Sequence, residues 1–391
     1  MIGRRVAVTG LGVVASCGTG REAFWAGLLA TPADGERRIT DFDPSDWFGP
    51  KEARRTDRFA QLAVAAASMA LDDAGPLDVD LDRAGVLIAT GIGGLHTLEE
   101  QIVLRHEKGA RRVSPFVVPM MMPNAGAASV SMRFGWRGPC EVTVTACAAS
   151  THAIANAARL IATGTCDAVL TGGAEAAITP TGVAGFTNMT ALSSSGRSRP
   201  YDVARDGFVI AEGGAVLLLE DWERATARGA KVYGEVLGGA STADAHHITA
   251  PAPDGSGAVR AIEQALADAG LTAGDIRHIN GHGTSTPLND AAEAAAITKV
   301  FGTPGPPVTS TKGVTGHALG AAGALEATAV LLAMEHRLIP PTAGLVDLDP
   351  GMSIDVVAGE PRPWEPGPAL SNSFGFGGHN GCLVLGPAEA G

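Results

Sequence analysis

Cys147 lies in the stretch Glu141-Val-Thr-Val-Thr-Ala-Cys147-Ala-Ala-Ser150, where a β-branched run gives way to alanines. The pattern predicts a strand over 141–145 and a helix over 148–163 that opens just after the cysteine. Free N–H groups and partial positive charge at a helix opening favour a thiolate. The thiol pKa is therefore expected to fall and the sulfur to act as a nucleophile. The same N–H groups could receive a developing oxyanion. Cys17, Cys140, Cys166 and Cys382 lack this setting and read as small buried hydrophobes.

Two histidines carry polar chemistry into glycine-flanked turns. Asn280-Gly-His282-Gly-Thr-Ser-Thr286 follows a predicted strand, and Ser310-Thr-Lys312-Gly-Val-Thr-Gly-His317 leads into an alanine-rich helix predicted over 316–336. With His317 near that helix start, the dipole disfavours an imidazolium and leaves a neutral ring that can donate one N–H. Lys312 could pair with a carboxylate such as Glu326. Taken singly, either histidine reads as well as a buried structural residue, and Lys312 as a solvated loop lysine. Near the C-terminus, Asn372-Ser-Phe374-Gly-Phe376-Gly-Gly-His379-Asn380 reads as a mobile apolar flap or as a glycine-rich loop between core strands. The histidines show no spacing typical of zinc, so no metal is expected.

The elements that must hold these groups alternate. Short strands are predicted over 5–9, 85–90, 141–145, 168–172, 215–220, 231–238, 278–281, 307–310 and 381–386, and helices over 59–74, 148–163, 257–269, 288–301 and 316–336. This is α/β composition. A strand–turn–helix unit recurs at Cys147 and at His317, and Ala70-Leu-Asp-Asp-Ala-Gly75 echoes Ala265-Leu-Ala-Asp-Ala-Gly270. The repeat divides the 391 residues into two α/β halves, 1–230 and 231–391, that share one body. A net charge of −12 argues against nucleic acid or an anionic membrane as the main partner. Five scattered cysteines without a CxxC fit a reducing, cytoplasmic compartment. The apolar run after His317 contains Glu326 and stops at Glu335, short of a membrane span.

Together, Thr-Ala-Cys147, His282-Gly-Thr-Ser-Thr, Lys312 with Gly-His317, and Phe374-Gly-Phe376-Gly-Gly strongly resemble the elongating β-ketoacyl-[acyl-carrier-protein] synthases of type II fatty acid and polyketide synthesis, most closely the synthase II branch and the ketosynthase subunits of bacterial type II polyketide systems. The resemblance covers nearly the whole chain. It implies the thiolase fold: duplicated βαβαβαββ halves in a five-layer αβαβα sandwich, usually dimeric. It also implies a decarboxylative condensation, with Cys147 carrying the acyl group and His282 and His317 donating to the malonyl thioester oxygen. The backbone N–H groups of Cys147 and Phe376 would form the oxyanion hole, Phe376 would be the gate, and Lys312 and Glu326 a supporting ion pair. Thr284 and Thr286 would meet the pantetheine arm, Met122 and Phe186 the acyl chain. Lys51, Arg54 and Arg55 would dock the acidic acyl carrier protein. No cofactor is implied beyond the phosphopantetheine that carries the substrates. The implied assembly is a homodimer, or a heterodimer with a ketosynthase-like chain-length factor.

Several positions depart from the family pattern. The 192–199 loop is short, Thr190 stands where many synthase II enzymes carry Arg, and His379 where Thr is common. A non-catalytic chain-length factor would lack Cys147, and a thiolase would need a second active cysteine near the C-terminus.

Overall fold

The computed structural model describes residues 3–388. Its first half contributes β1 (Val6–Ala15), β2 (Ala84–Ala89), β3 (Cys140–Glu141), β4 (Ala168–Glu175) and β5 (Gly213–Asp221). The second contributes β6 (Gly234–Ala243), β7 (His278–Asn280), β8 (Val308–Thr309), β9 (Ala369–Gly375) and β10 (His379–Pro387). The spatial orders are β3-β2-β4-β5-β1 and β8-β7-β9-β10-β6. Each of these five strands of the first half therefore has a counterpart in the second; the two-residue strand Gly18–Thr19, which pairs with β1 off this path, does not. The directions repeat too: three parallel strands, then two antiparallel ones. The half-sheets meet edge to edge where Ala7 and Val8 of β1 pair with Glu235 and Gly234 of β6.

Five helices complete the layers. α1 (Arg58–Ala74) covers β1 and β5 from outside; α2 (Ala149–Ala162) touches β2 and β4 on one side and β6 and β10 on the other. α3 (Ser256–Ala269) covers β6 and β10, and α4 (Pro287–Phe301) packs against α3. α5 (Ala322–His336) lies beside α2 in the middle layer. The result is the α-β-α-β-α sandwich of the thiolase fold. The middle helices must be apolar on every side, and α5 is buried from Ala322 to Met334. That is why the segment reads in sequence as a long apolar run although it falls short of a membrane span. Among the described residues no helix is long and apolar enough to cross a membrane. The Ser150 hydroxyl of α2 accepts the Ala324 N–H at 2.9 Å, fixing the two central helices together.

Three boundaries differ from the sequence reading. β1 does not stop at Thr9. It runs to Ala15, because Gly10 and Gly12 serve close packing rather than a turn: a Cβ there would strike the carbonyls of Ala70 and Ala66 of α1, at 2.1 and 1.8 Å. β9 runs into the motif read as a flap or loop, taking in its first four residues, and its Ala369–Ser373 portion is fully buried. The helix expected from Gly316 starts at Ala322, after a 3₁₀ turn over Leu319–Ala321.

One buried carboxylate ties the entry of β4 to its surroundings. Asp167 accepts from Arg83 at 2.8 Å and Arg4 at 3.1 Å, with Arg224 at 3.8 Å. The Arg83 hydrogen bonds hold its pKa down at about 2, below the ordinary 3.8. A depressed acid adds stability that is present above its unfolded pKa and is lost as pH falls through the folded one. The arginines stay partly in solvent, so the contribution is about 1–2 kcal/mol. Asp167→Asn should lower the denaturation midpoint at pH 7, and the difference from wild type should shrink between pH 4 and pH 2.

Candidate active site

Cys147 sits on a strained turn. Ala146 before it has φ 50°, and Ala148 after it caps α2. The strand leading in is shorter than expected, only Cys140–Glu141. The residue is 8% exposed, and its sulfur, His282 and His317 offer side-chain atoms all within 4.8 Å of one another. The expected fall in thiol pKa is overturned. Burial pushes the Cys147 thiol up to about 12, outweighing Lys312 and the Phe376 N–H, which both pull it down. The helix opening is present, but the sulfur is too well desolvated for it to dominate. The resting sulfur is a thiol.

His282 is held from both sides. Its backbone N–H and that of Gly283 donate to the two oxygens of Glu293 at 2.7 Å each. Lys312 Nζ donates to the His282 carbonyl at 2.6 Å and lies 3.3 Å from His282 Nδ1. An ammonium has no lone pair, so Nδ1 must be the acceptor and Nε2 carries the proton. Lys312 also forms an ion pair with Glu326, the two side chains being 1% and 2% exposed. His317 lies five residues before α5, and its N–H donates to the Val209 carbonyl at 2.8 Å. Its ring meets His282 edge-on at 5.4 Å and Phe208 at 5.1 Å. Burial first, then Lys312, drives both histidines well below the ordinary imidazole pKa. Both rings are thus neutral at pH 7. The cause is desolvation beside a buried cation, which for His317 replaces the helix opening invoked from sequence.

Three such ligand atoms could in principle hold a metal ion. The local electrostatics oppose it. The His282 Nε2 lone pair is occupied by a proton, and the Lys312 cation stands beside the ring. The same features suit a pair of hydrogen-bond donors facing a thiol.

These residues line a cavity of about 650 Å³. Thr284, Thr286, Phe186 and Phe376 line it as well, and the two threonine hydroxyls are 2.9 Å apart. Cys147 is the one cysteine in its wall among the described residues. Cys382 is buried on β10, its sulfur 3.1 Å from Asn372 Oδ1. Met122 does not reach the cavity. It ends a short helix over Val117–Met121 and is 38% exposed, so its assignment to the pocket wall is not met within this chain. Lys51, Arg54 and Arg55 lie outside the cavity on an exposed turn, Arg55 stacking over Phe116 at 4.2 Å. That contact sets the turn against the segment carrying exposed Arg111 and Arg112, which sequence reasoning passed over.

Other contributors also escaped notice. Glu293 receives Tyr201 O–H at 3.0 Å and Asn372 Nδ2 at 3.3 Å besides the His282 loop. At the mouth, Asn380 Nδ2 donates to Asp244 at 2.7 Å, and the Gly377 N–H donates to the Ile248 carbonyl at 2.7 Å. The Phe376 turn and the loop after β6 are thereby tied together.

Comparison with known proteins places this arrangement. Residues 33–225 match the family described as Beta-ketoacyl synthase, N-terminal domain, and residues 233–346 match Beta-ketoacyl synthase, C-terminal domain. The chain belongs to the β-ketoacyl synthase family and is an acyltransferase of the chain-elongating, condensing kind. It is 45% identical to a 3-oxoacyl-[acyl-carrier-protein] synthase 2 of Synechocystis sp., over 98% of both chains. It is 42% identical to the protein of that name from Staphylococcus aureus, over 99% of both. Among solved structures, the ishigamide ketosynthase/chain length factor superposes with TM-score 0.93 at 34% identity, over 99% of this chain and 100% of that one. A Beta-ketoacyl synthase from Burkholderia phymatum gives TM-score 0.92 at 33% identity with the same coverage.

Proposed function

We propose that Cys147 accepts an acyl group from the phosphopantetheine thioester of an acyl carrier protein and that this chain extends it with malonyl-carrier protein. In loading, the Cys147 S–H proton leaves with the departing carrier thiol, and a new thioester forms on the cysteine. Malonyl-carrier protein then enters along Thr284 and Thr286. The bond to its carboxylate breaks and CO₂ departs. The electron pair becomes an enolate, whose oxygen takes hydrogen bonds from His282 and His317. The enolate carbon attacks the acyl carbonyl, whose oxygen sits on the N–H groups of Cys147 and Phe376. Cys147 leaves as a thiolate as the β-ketoacyl chain forms, and it takes up one proton from solvent to restore the thiol. Storing the chain on sulfur divides one hard step into two. The single observation that carries this reading is the buried triangle of one thiol and two neutral rings, with His282 locked as a donor by Lys312.

Phe376 serves as the gate between the two substrates, and Phe186 packs against the acyl chain. Lys51, Arg54 and Arg55, with Arg111 and Arg112, steer an acidic carrier protein to the mouth of a chain whose net charge is −12. The sheet repeat supports dividing the chain at 230/231. Free thiols suit a cytoplasmic setting. β3 is an exposed edge strand, and Ile102, Val103, Val118, Met122, Met132 and Val144 are exposed apolar residues in the surrounding segments. A second ketosynthase-like chain covers this face, either a copy of this one or a chain-length factor like that of the ishigamide protein. In the latter case this chain is the catalytic half, and Met122 gains its pocket role only in the assembled pair.

The test is to offer the purified protein a panel of acyl-carrier proteins with malonyl-carrier protein and follow both by mass spectrometry. The expected result is an acyl adduct on the Cys147 peptide and a β-ketoacyl product. Absence of any adduct on that peptide across the panel overturns the proposal.

A further inference from the structure

Glu175 ends β4 and is completely buried, yet no step above uses it. Its carboxylate gathers four donors. Thr90 O–H donates at 3.0 Å, the Gly91 N–H at 2.6 Å and the Gly320 N–H at 3.1 Å, and the Ile92 N–H adds a fourth. These donors come from both halves of the fold. Thr90, Gly91 and Ile92 follow β2, and Gly91 and Ile92 form part of the cavity wall. Gly320 lies in the 3₁₀ turn three residues after His317, beside Leu319, which also lines the cavity. The backbones are pressed together around the carboxylate. A Cβ at Gly320 would lie 2.0 Å from Gly91 N, and one at Gly91 would lie 2.7 Å from Glu175 Oε2.

We infer that Glu175 is a positioning residue for the condensation: it clamps the Gly91–Ile92 wall of the cavity to the segment carrying His317. The inference rests on the reading of Cys147 as the acyl carrier. Burial raises the Glu175 pKa to about 7 against the pull of its four donors, and Glu175 in turn raises that of Cys147. A carboxylate with that many backbone donors cannot be replaced by an amide without turning one N–H₂ against an N–H. The clamp then opens at the cavity wall formed by Gly91 and Ile92, against which a chain carried on Cys147 would pack. Removing the negative charge also lets the thiolate form more readily.

Three variants separate the two effects. Glu175→Gln removes the charge and damages the clamp. Glu175→Asp keeps the charge with a shorter reach, and Thr90→Val removes one donor to Glu175 together with the acceptor of the Gly93 N–H. For Glu175→Gln, alkylation of Cys147 by iodoacetamide at pH 8 should quicken about threefold. Its KM for a long-chain acyl carrier should rise about tenfold, with that for an acetyl carrier changing less than about twofold. Glu175→Asp and Thr90→Val should raise the long-chain KM without quickening alkylation. Equal losses for long and short chains with unchanged alkylation would mean a merely structural role and overturn the inference, as would wild-type kinetics in Glu175→Gln. Should Glu175→Gln fail to fold, Thr90→Val and Glu175→Asp still decide, because a flat chain-length response in both removes the clamp. Alkylation needs no carrier protein. A wild type that alkylates at Cys147 but loads no acyl group therefore counts against the proposed function and leaves the charge effect measurable.

Discussion

Cys147→Ser should reduce acyl loading by at least about 1,000-fold while leaving the fold intact. The hydroxyl is close in size, so the buried turn at Ala146–Ala148 has no reason to rearrange. What is lost is acidity and nucleophilicity. The site has little to offer an alcohol in return. His282 Nε2 holds a proton already, and Lys312 Nζ is spent on Glu326 and the His282 carbonyl. A serine there would have only the neutral His317 ring to call on, and no carboxylate stands behind that ring to orient it as in serine hydrolases. The thiol needs less help, but with its pKa at about 12 it is not a standing thiolate. In the free protein, alkylation of Cys147 should therefore climb about tenfold per pH unit from 7 to 9, without a plateau near neutrality. Single-turnover loading of both proteins and an alkylation–pH profile of the wild type check these points. A plateau at pH 7 would restore the low-pKa reading made from the helix opening.

That disagreement shows where sequence stops being informative. Cys147, His282 and His317 were legible because each stands at a strand end or glycine turn, and such local grammar survives in one dimension. The pKa of a buried group does not, since it depends on how much water the rest of the fold removes. The neutral state of His317 was foreseen for the wrong reason: the ring sits five residues before α5, and burial beside Lys312 does the work. Long-range partners left no trace at all. Glu175 meets Gly320 across 145 positions, and Asn380 meets Asp244 across 136. β9 was missed because its Gly-Phe-Gly end looked like a loop, although Leu370 to Ser373 are buried between neighbours. The duplication was legible as matched turns, but the equal strand orders needed the pairing itself. Met122 shows the opposite limit, since a methionine run says nothing about which side of a pocket wall it occupies.

Lys312→Met should both destabilise the protein and stop the condensation, and the two losses have different origins. The substitution leaves Glu326 buried without its cation, which costs about 3–5 kcal/mol when one partner of a buried pair is removed. Glu326 is already raised to about 7 by burial, against the pull of Lys312, so losing that pull raises it further. A raised acid binds a proton in the folded state over a window where the unfolded chain has released it. Stability therefore falls as pH climbs from about 4.5 to the folded pKa and is flat above it. The variant should thus regain stability on acidification from pH 8 towards pH 5, by more than the wild type does. Lys312→Met with Glu326→Leu removes both charges, and denaturation at pH 7 should return most of the lost stability. Condensation should not return with it. Without the ammonium at Nδ1, the His282 proton is free to shift from Nε2, and the ring ceases to be a fixed donor to the enolate. A double variant that recovers stability and activity together would mean that Lys312 serves the fold alone and that the His282 tautomer is set elsewhere.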